Sequence, residues 1–353
     1  MRPVAAASVA AGPQASEWDA LADRTRGDPF VRPGWIAAWH AAFGGGELVA
    51  LTAHHDDALT GVLPMVARIG VWRSPTNDHT PAFAPLADDA PALRRLAAAL
   101  LARRPAAVSL AYLDAASNAL GELRAVAAGG GWATRVRPIH HSPILELGDA
   151  EAWEADRPRR ALADLRRRRR RLGERGRLTF AVAREAIALG DVLSLERMGW
   201  KGADGTSVAD DPRVRRFYEA VASWAAARGS LRIPRLRLDG RPLAALLALE
   251  EGDVLHLLKG GYDPAFADAS PGQLLLQDVL RRAFADGLRR VELHGDAEPY
   301  KQVWTSDVRR RVALEIFAPT RAGRLARAAA DHARPVARRA LLLRLQPPRR
   351  TPG

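Results

Sequence analysis

The order of apolar and polar positions along the chain predicts two similar runs of helices and strands. Glu17–Arg26 and Pro33–Phe43 carry apolar residues at helical spacing, the second opened by Pro33 and ended by Gly44–Gly46. Leu48–Ala53 and Thr60–Ala67 read as strands about the polar turn His54–Asp57. Ile69–Arg73 reads as a third strand, ahead of a Pro-rich loop at Ser74–Pro85. A helix at Pro91–Arg103, a strand at Ala107–Tyr112, a helix at Ala115–Ala128 and a strand at Trp132–Pro138 complete the first run.

Glu151–Arg175 follows as one polar helix of weak periodicity, with Leu162, Leu165 and Leu172 as its packing residues. The second run opens with a strand at Leu178–Ala183, a helix from Ala188 to Gly199, a polar loop at Lys201–Asp211 and a helix at Pro212–Arg228. Leu231–Leu238 and Leu243–Glu250 form a hairpin about Asp239-Gly240. Val254–Tyr262 is apolar enough for a central strand. Ser270 is expected to cap the next helix, Pro271 suits its first turn, and Leu274–Phe284 supplies its apolar face before Gly287. Val291–Leu293 and Val312–Phe317 are the remaining strands.

The two runs share nearly the same element order without repeating residues. The expected division is 1–150, a basic connecting helix at 151–177, a second unit at 178–320 and a basic tail at 321–353. Hairpins together with helical crossovers imply α/β sheets of mixed direction with flanking helices.

Composition narrows the function classes. The 353 residues contain no cysteine, which excludes disulfides, thiolate metal sites and a cysteine nucleophile. No apolar run approaches the roughly 20 residues that span a bilayer, and the N-terminus lacks the apolar core of a signal peptide, so a cytoplasmic protein is expected. The formal charge is +13, with three lysines against fifty arginines. This excess reads first as a hydrated surface. The six consecutive arginines Arg166–Arg171 point all around their helix and cannot all face one nucleic-acid groove. The tail, Arg321–Gly353, is expected to pack on the body or stay loose. Peripheral membrane contact by an amphipathic helix, interrupted at Pro335, is its alternative.

Several common sites are missing. The chain has no phosphate-binding G-x-x-x-x-G-K-[ST], no H-E-x-x-H and no G-x-S-x-G. His54-His55 and His140-His141 lack the spacing that sets two ligands on one helix face, and no metal is expected. What stands out is the helix opening at Ser270-Pro271-Gly272 beside strand ends, where unpaired N–H groups suit an anion. All three lysines, in a chain that otherwise uses arginine, fall inside three short segments: Lys201 in Met198–Ser207, Lys259 in Leu258–Pro264 and Lys301 in Glu298–Trp304.

The segments MGWKGADGTS (Met198–Ser207), LKGGYDP (Leu258–Pro264), SPGQLLL (Ser270–Leu276) and EPYKQVW (Glu298–Trp304), with the element order around them, resemble the CelD/BioF2-like acetyltransferase family. That family has the GNAT (acyl-CoA N-acyltransferase) fold and is related to the tandem-GNAT Fem peptidyltransferases. The resemblance spans Glu17–Phe317 and implies tandem GNAT-like domains, the first degenerate and shaping the acceptor site. It implies transfer of an acyl group to an amine of a small molecule, glycan or peptide, with acetyl-CoA or another acyl-CoA as co-substrate rather than a resident cofactor.

The same resemblance places the donor between Val254–Tyr262 and Val291–Leu293. Lys259, Gly260, Gly261, Ser270, Pro271, Gly272 and Gln273 would line it. Lys301 would stabilise an oxyanion, Tyr300 would give the leaving group a proton, and Asp296 or Glu298 would accept the amine's proton. Trp200, Lys201 and Trp304 would hold the acceptor. The chain departs from the family at Asp263–Ser270, which carries two acids and no cation for a diphosphate. An aminoacyl-tRNA donor and a non-catalytic scaffold therefore stay open.

Overall fold

The computed structural model describes residues 13–198 and 211–344. Helices α1 (Pro13–Arg24) and α2 (Pro33–Phe43) precede strands β1 (Glu47–His55), β2 (Ala58–Arg68), β3 (Val71–Arg73) and β4 (Leu86–Ala87). Then come α3 (Ala90–Ala102), β5 (Ala107–Asp114), α4 (Asn118–Gly129) and β6 (Ala133–Glu146). A short helix, α5 (Ala150–Ala155), and a longer one, α6 (Arg159–Gly173), lead to β7 (Leu178–Ala183), α7 (Leu189–Met198) and α8 (Pro212–Ala227). The rest is β8 (Leu231–Leu238), β9 (Arg241–Glu251), β10 (Val254–Tyr262), α9 (Pro271–Ala285), β11 (Arg290–Glu292), α10 (Pro299–Gln302), β12 (Val308–Phe317) and α11 (Arg321–Arg344).

All the strands join one mixed sheet in the order β1-β2-β3-β5-β12-β6-β11-β10-β9-β8-β7, with β4 on β2. The β8–β9 turn is the expected hairpin, with Asp239 and Gly240 both at positive φ. Strand β6 is the seam. Its first part pairs with β12, and its end, Ile144–Glu146, pairs with β11. The expected strand stopped at Pro138, because proline cannot donate to a ladder. In the fold Pro138 sits at a register shift, which lets the strand run on.

Three further expectations change. Val312–Phe317, read as the closing strand of the second unit, belongs to β12 and lies between β5 and β6 of the first. The hydrophobic cores also ignore the expected division. One core joins Trp35, Trp39 and Leu51 to Leu195 and Phe217, while the other gathers Leu162, Leu165 and Leu172 beneath Leu274, Leu275 and Trp304. Strand β9 serves both: Ala245, Leu247 and Leu249 face the first core, Ala244 and Ala248 the second. The connecting helix breaks at Pro158, which lacks an N–H and bars α geometry at the residue before it. Helix α11, by contrast, runs through Pro335. No helix among the described residues is long and apolar enough to cross a membrane.

Candidate active site

Strands β10 and β11 run parallel but pair only at Val254↔Arg290, Leu255↔Val291 and His256↔Glu292. Beyond His256 they part. Strand β10 has a register shift against β9 between Leu257 and Lys259 and continues to Tyr262, whereas the chain after Glu292 turns away at His294 and Gly295, both at positive φ. The gap opens into a cavity of about 760 Å³. A V-shaped opening of this kind exposes unpaired backbone groups on β10, to which an extended ligand can add as a further strand.

The donor-side residues expected from the sequence meet here. Lys259, Gly260 and Gly261 form the β10 wall, and Ser270, Pro271, Gly272 and Gln273 form the mouth of α9. Gly261 is required by close packing, because a Cβ there would lie 2.4 Å from the Glu196 backbone nitrogen on α7. At Gly272 a Cβ would meet only the Tyr262 ring, at 3.7 Å, so this backbone faces open space.

Ser270 does not cap α9. It adopts a left-handed conformation (φ 48°) with no side-chain cap bond, and its hydroxyl accepts a hydrogen bond from Arg168 Nη1 at 2.8 Å. Arg168 also donates to the Asp268 carbonyl at 2.5 Å, and Arg169 holds Asp278 at 2.7 Å. A guanidinium of α6 thus stands beside Asp268 and Ser270, and it also pairs with Asp164 on its own helix. Asp263, the other acid of that loop, is buried and paired with Arg241.

The EPYKQVW turn divides. Glu298, Tyr300 and Lys301 line the cavity. Lys301 is 6% exposed, and its three donors reach the carbonyls of His294 (2.7 Å) and Asp296 (3.1 Å) and the Glu298 carboxylate (3.0 Å). The ammonium therefore braces the 294–298 loop. Desolvation, reinforced by Glu298, pushes the Tyr300 phenol well above its ordinary range and keeps it protonated.

Two expected residues stand elsewhere. Asp296 is not in the cavity wall; it accepts the Ala297 and His141 amides, which hold its carboxyl below the usual range and make it a poor base. Trp304 is fully buried rather than lining an acceptor site. Its ring stacks on Trp153 at 6.0 Å, and its Nε1 donates to Gln273 Oε1 at 3.0 Å, fixing the side chain beside Gly272. Trp200 and Lys201 lie outside the described residues.

The residues of the opposite wall were not named from the sequence as site residues. They come from the first run and from α7 and α8: Asp78, His79, Tyr112, His140, Glu196 and Tyr218. Tyr112 donates to Asp78 at 2.8 Å, and His79 Nδ1 lies 3.1 Å from the Tyr218 hydroxyl. His294 closes the cavity where the strands part and stacks on His256, with centroids 5.3 Å apart and Nδ1 of His256 at 3.1 Å from Nε2 of His294. Desolvation lowers the pKa of both imidazoles, that of His256 to about 4. A histidine inside the apolar run Val254–Leu258 was the only signal of this pair, and nothing in the sequence tied it to residue 294.

Residues 159–302 match the family model described as an acetyltransferase (GNAT) domain. The fold is that of the GNAT acyltransferases. The matched segment begins at the arginine-rich α6 and ends within α10, so it contains the β10, α9 and α10 residues of the cavity wall. Among solved structures, FemX superposes with a TM-score of 0.64 at 14% identity, covering 90% of this chain and 98% of that one. A Bacteroides thetaiotaomicron protein of unknown function gives 0.57 at 10% identity, covering 86% and 97%. The C-terminal DUF2156 domain of a protein described as a lysylphosphatidylglycerol synthetase, from Agrobacterium fabrum, gives 0.55 at 14%, covering 90% and 95%. At these identities the likeness establishes the GNAT fold alone. No curated protein matches the sequence.

Proposed function

We propose that the protein is an N-acyltransferase that moves an acyl group, acetyl in the simplest case, from a CoA thioester to an amine held between the two walls of the cavity. The observation that carries this reading is the parting of β10 and β11 after His256, with the α9 N-terminus and Arg168 at the far end of the gap. A pantetheine-like arm laid along Leu257–Tyr262 would put its phosphates at Ser270–Gly272 and its thioester beside Leu293 and His294. There the Tyr300 phenol supplies a hydrogen bond to the departing sulfur, and Lys301 holds the loop in place. The wall of Asp78, Tyr112 and Tyr218 is left for the acceptor. The CelD/BioF2-like motifs support the same assignment.

Calorimetric titration with acetyl-CoA and CoA tests the donor, on the wild type and on Gly272→Trp. Micromolar binding that the indole abolishes is the expected result. No heat from either ligand in the wild type rejects a CoA donor.

A second reading has the acyl group arrive as an aminoacyl ester on tRNA. It is favoured by the exposure of Arg166, Arg167, Arg170 and Arg171 on the helix whose Arg168 touches the mouth of α9. This reading predicts RNA binding that weakens steeply with salt.

A further inference from the structure

Asp78 belongs to the wall left for the acceptor, on the Pro-rich loop between β3 and β4. Among the described residues its carboxylate pairs with no cation; its contact is the Tyr112 hydroxyl, which donates to Oδ1 at 2.8 Å. Glu196 puts a second carboxylate in the same wall, where burial and its charge raise the pKa of the Tyr218 phenol. The remaining polar side chains there are tyrosines and histidines, and desolvation holds His140 below its ordinary pKa. Both cavity lysines among the described residues come from elsewhere, Lys259 from β10 and Lys301 from α10, and Lys301 is committed to the 294–298 loop. Arg137, whose charge reaches the Tyr112 phenol, pairs with Glu315 at 3.8 Å and is not in the wall.

The Asp78 carboxylate is also held in place. Ser74 Oγ lies 2.9 Å from Thr76 Oγ1 and accepts the Ala111 amide at 3.0 Å. Asn77 Oδ1 accepts the His79 amide at 3.0 Å, and Trp35 Nε1 donates to Thr80 Oγ1 at 3.3 Å. These bonds pin the loop on both sides of Asp78. Tyr112 comes from a β-bulge: Ala111 and Tyr112 fall between the pairs Leu110↔Leu314 and Leu113↔Val312, and Tyr112 takes φ 63°. A bulge turns a side chain out of its strand's alternation, and this one brings the phenol to Asp78. A fixed carboxylate without a cation, set among phenol and imidazole rings, attracts an ammonium group and repels a carboxylate.

We infer that the acceptor is a diamine, or a larger amine with a second positive charge, and that Asp78 selects it by taking the far ammonium on Oδ2, with Tyr112 positioning the carboxylate. The inference rests on the acyl-transfer reading of the cavity. The near nitrogen, as free amine, bonds to the thioester carbon; the carbon–sulfur bond breaks, and the proton shed by nitrogen leaves on the thiol. The far ammonium takes no part and stays on Asp78. Amide and thiol are the products, and the amide keeps a positive charge. An amino acid offered as acceptor would set its own carboxylate against Asp78 and Glu196, so the same wall excludes it.

The test uses the full chain with acetyl-CoA, following thiol release with putrescine, cadaverine, butylamine and γ-aminobutyrate. The diamines should exceed butylamine in kcat/KM by about tenfold, the scale of a single hydrogen bond to a charged group, and γ-aminobutyrate should be the poorest. Asp78→Asn, which keeps the shape and removes the charge, should bring the diamines down to butylamine, while calorimetric affinity for CoA is unchanged. Tyr112→Phe should raise KM for putrescine with little change in kcat. Added salt should raise the wild-type KM for putrescine more steeply than that for butylamine, a readout that needs no variant to fold. A wild type that uses butylamine as well as the diamines, an Asp78→Asn enzyme that keeps the preference, or equal salt slopes overturns the inference alone. Unchanged KM in Tyr112→Phe overturns the positioning role. No thiol release with any of these amines also overturns the inference; when acetyl-CoA fails to bind as well, the acyl-transfer reading falls with it.

Discussion

The ammonium of Lys301 donates to the carbonyl of His294 at 2.7 Å, tying α10 to the residue that ends the open side of the V. This one contact shapes the cavity, since the 294–298 loop has no strand to hold it.

Removing the Lys301 ammonium strands two carbonyls and a carboxylate that now share it. Lys301→Met, which keeps the stem, is expected to cost about 1–3 kcal/mol, the usual scale for leaving buried partners unsatisfied. Thermal unfolding would show it. Lys301→Arg should not rescue, because a Cβ built on neighbouring Gly295 would already lie 3.1 Å from Nζ, and a guanidinium is wider still. Wild-type stability in Lys301→Met would show that the brace is unimportant.

Arg168 is expected to act on the phosphates of the donor and not on its acyl end. Arg168→Ala should weaken acetyl-CoA binding by about tenfold, as befits one charge-assisted contact. It should leave the KM for an N-acetylcysteamine thioester, which has no phosphate, unchanged. Equal losses for both donors would place Arg168 in the framework instead.

Gly261→Ala and Gly260→Ala make a matched pair. A Cβ at Gly261 meets the α7 backbone at Glu196 and Leu195, whereas at Gly260 the first obstacle is the end of the Leu246 side chain, at 2.2 Å. A side chain can turn aside and a helix backbone cannot. Gly261→Ala is therefore expected to lose about 1–3 kcal/mol and Gly260→Ala clearly less, as read from denaturant midpoints. Equal losses would mean that α7 can shift freely.

Stability should fall as pH falls from 6.5 toward 4. His256 has an unfolded pKa near 6.5 and a folded value of about 4, and His294 is depressed as well, so between these limits the unfolded chain binds more protons. The contribution is full above pH 6.5 and declines by at most about 1.4 kcal/mol per pH unit for each imidazole. Burial of Glu292 acts in the opposite sense, so the informative quantity is the difference between wild type and His256→Phe. That difference should move in favour of His256→Phe as pH falls from 6.5 toward 4; one that is flat with pH would contradict the depressed imidazole.

Much of the cavity wall built by β10, α9 and α10 was legible in the chain. Val254–Tyr262 reads as a strand because its apolar run is bounded by turn residues, and Pro271 marks a helix start through its fixed φ. Three lysines in an arginine-rich chain drew attention to Lys259 and Lys301, and both are in the cavity wall. Local pattern misjudged what depends on partners. Ser270 has the composition of a cap, yet Arg168 claims its hydroxyl. Trp304 has the look of a binding aromatic, yet Trp153 and Gln273 enclose it.

By itself the sequence determined most of the helices and strands, their order and the mixed sheet, since these follow from periodicity and turn chemistry within about ten residues. Tertiary structure alone decided that β12 enters the first half of the sheet, that Arg168 of α6 reaches Ser270, and that His256 meets His294. Each of these joins residues far apart in the chain through packing and charge pairing. Such contacts are selected by the free energy of the whole fold and leave no periodic trace in either partner.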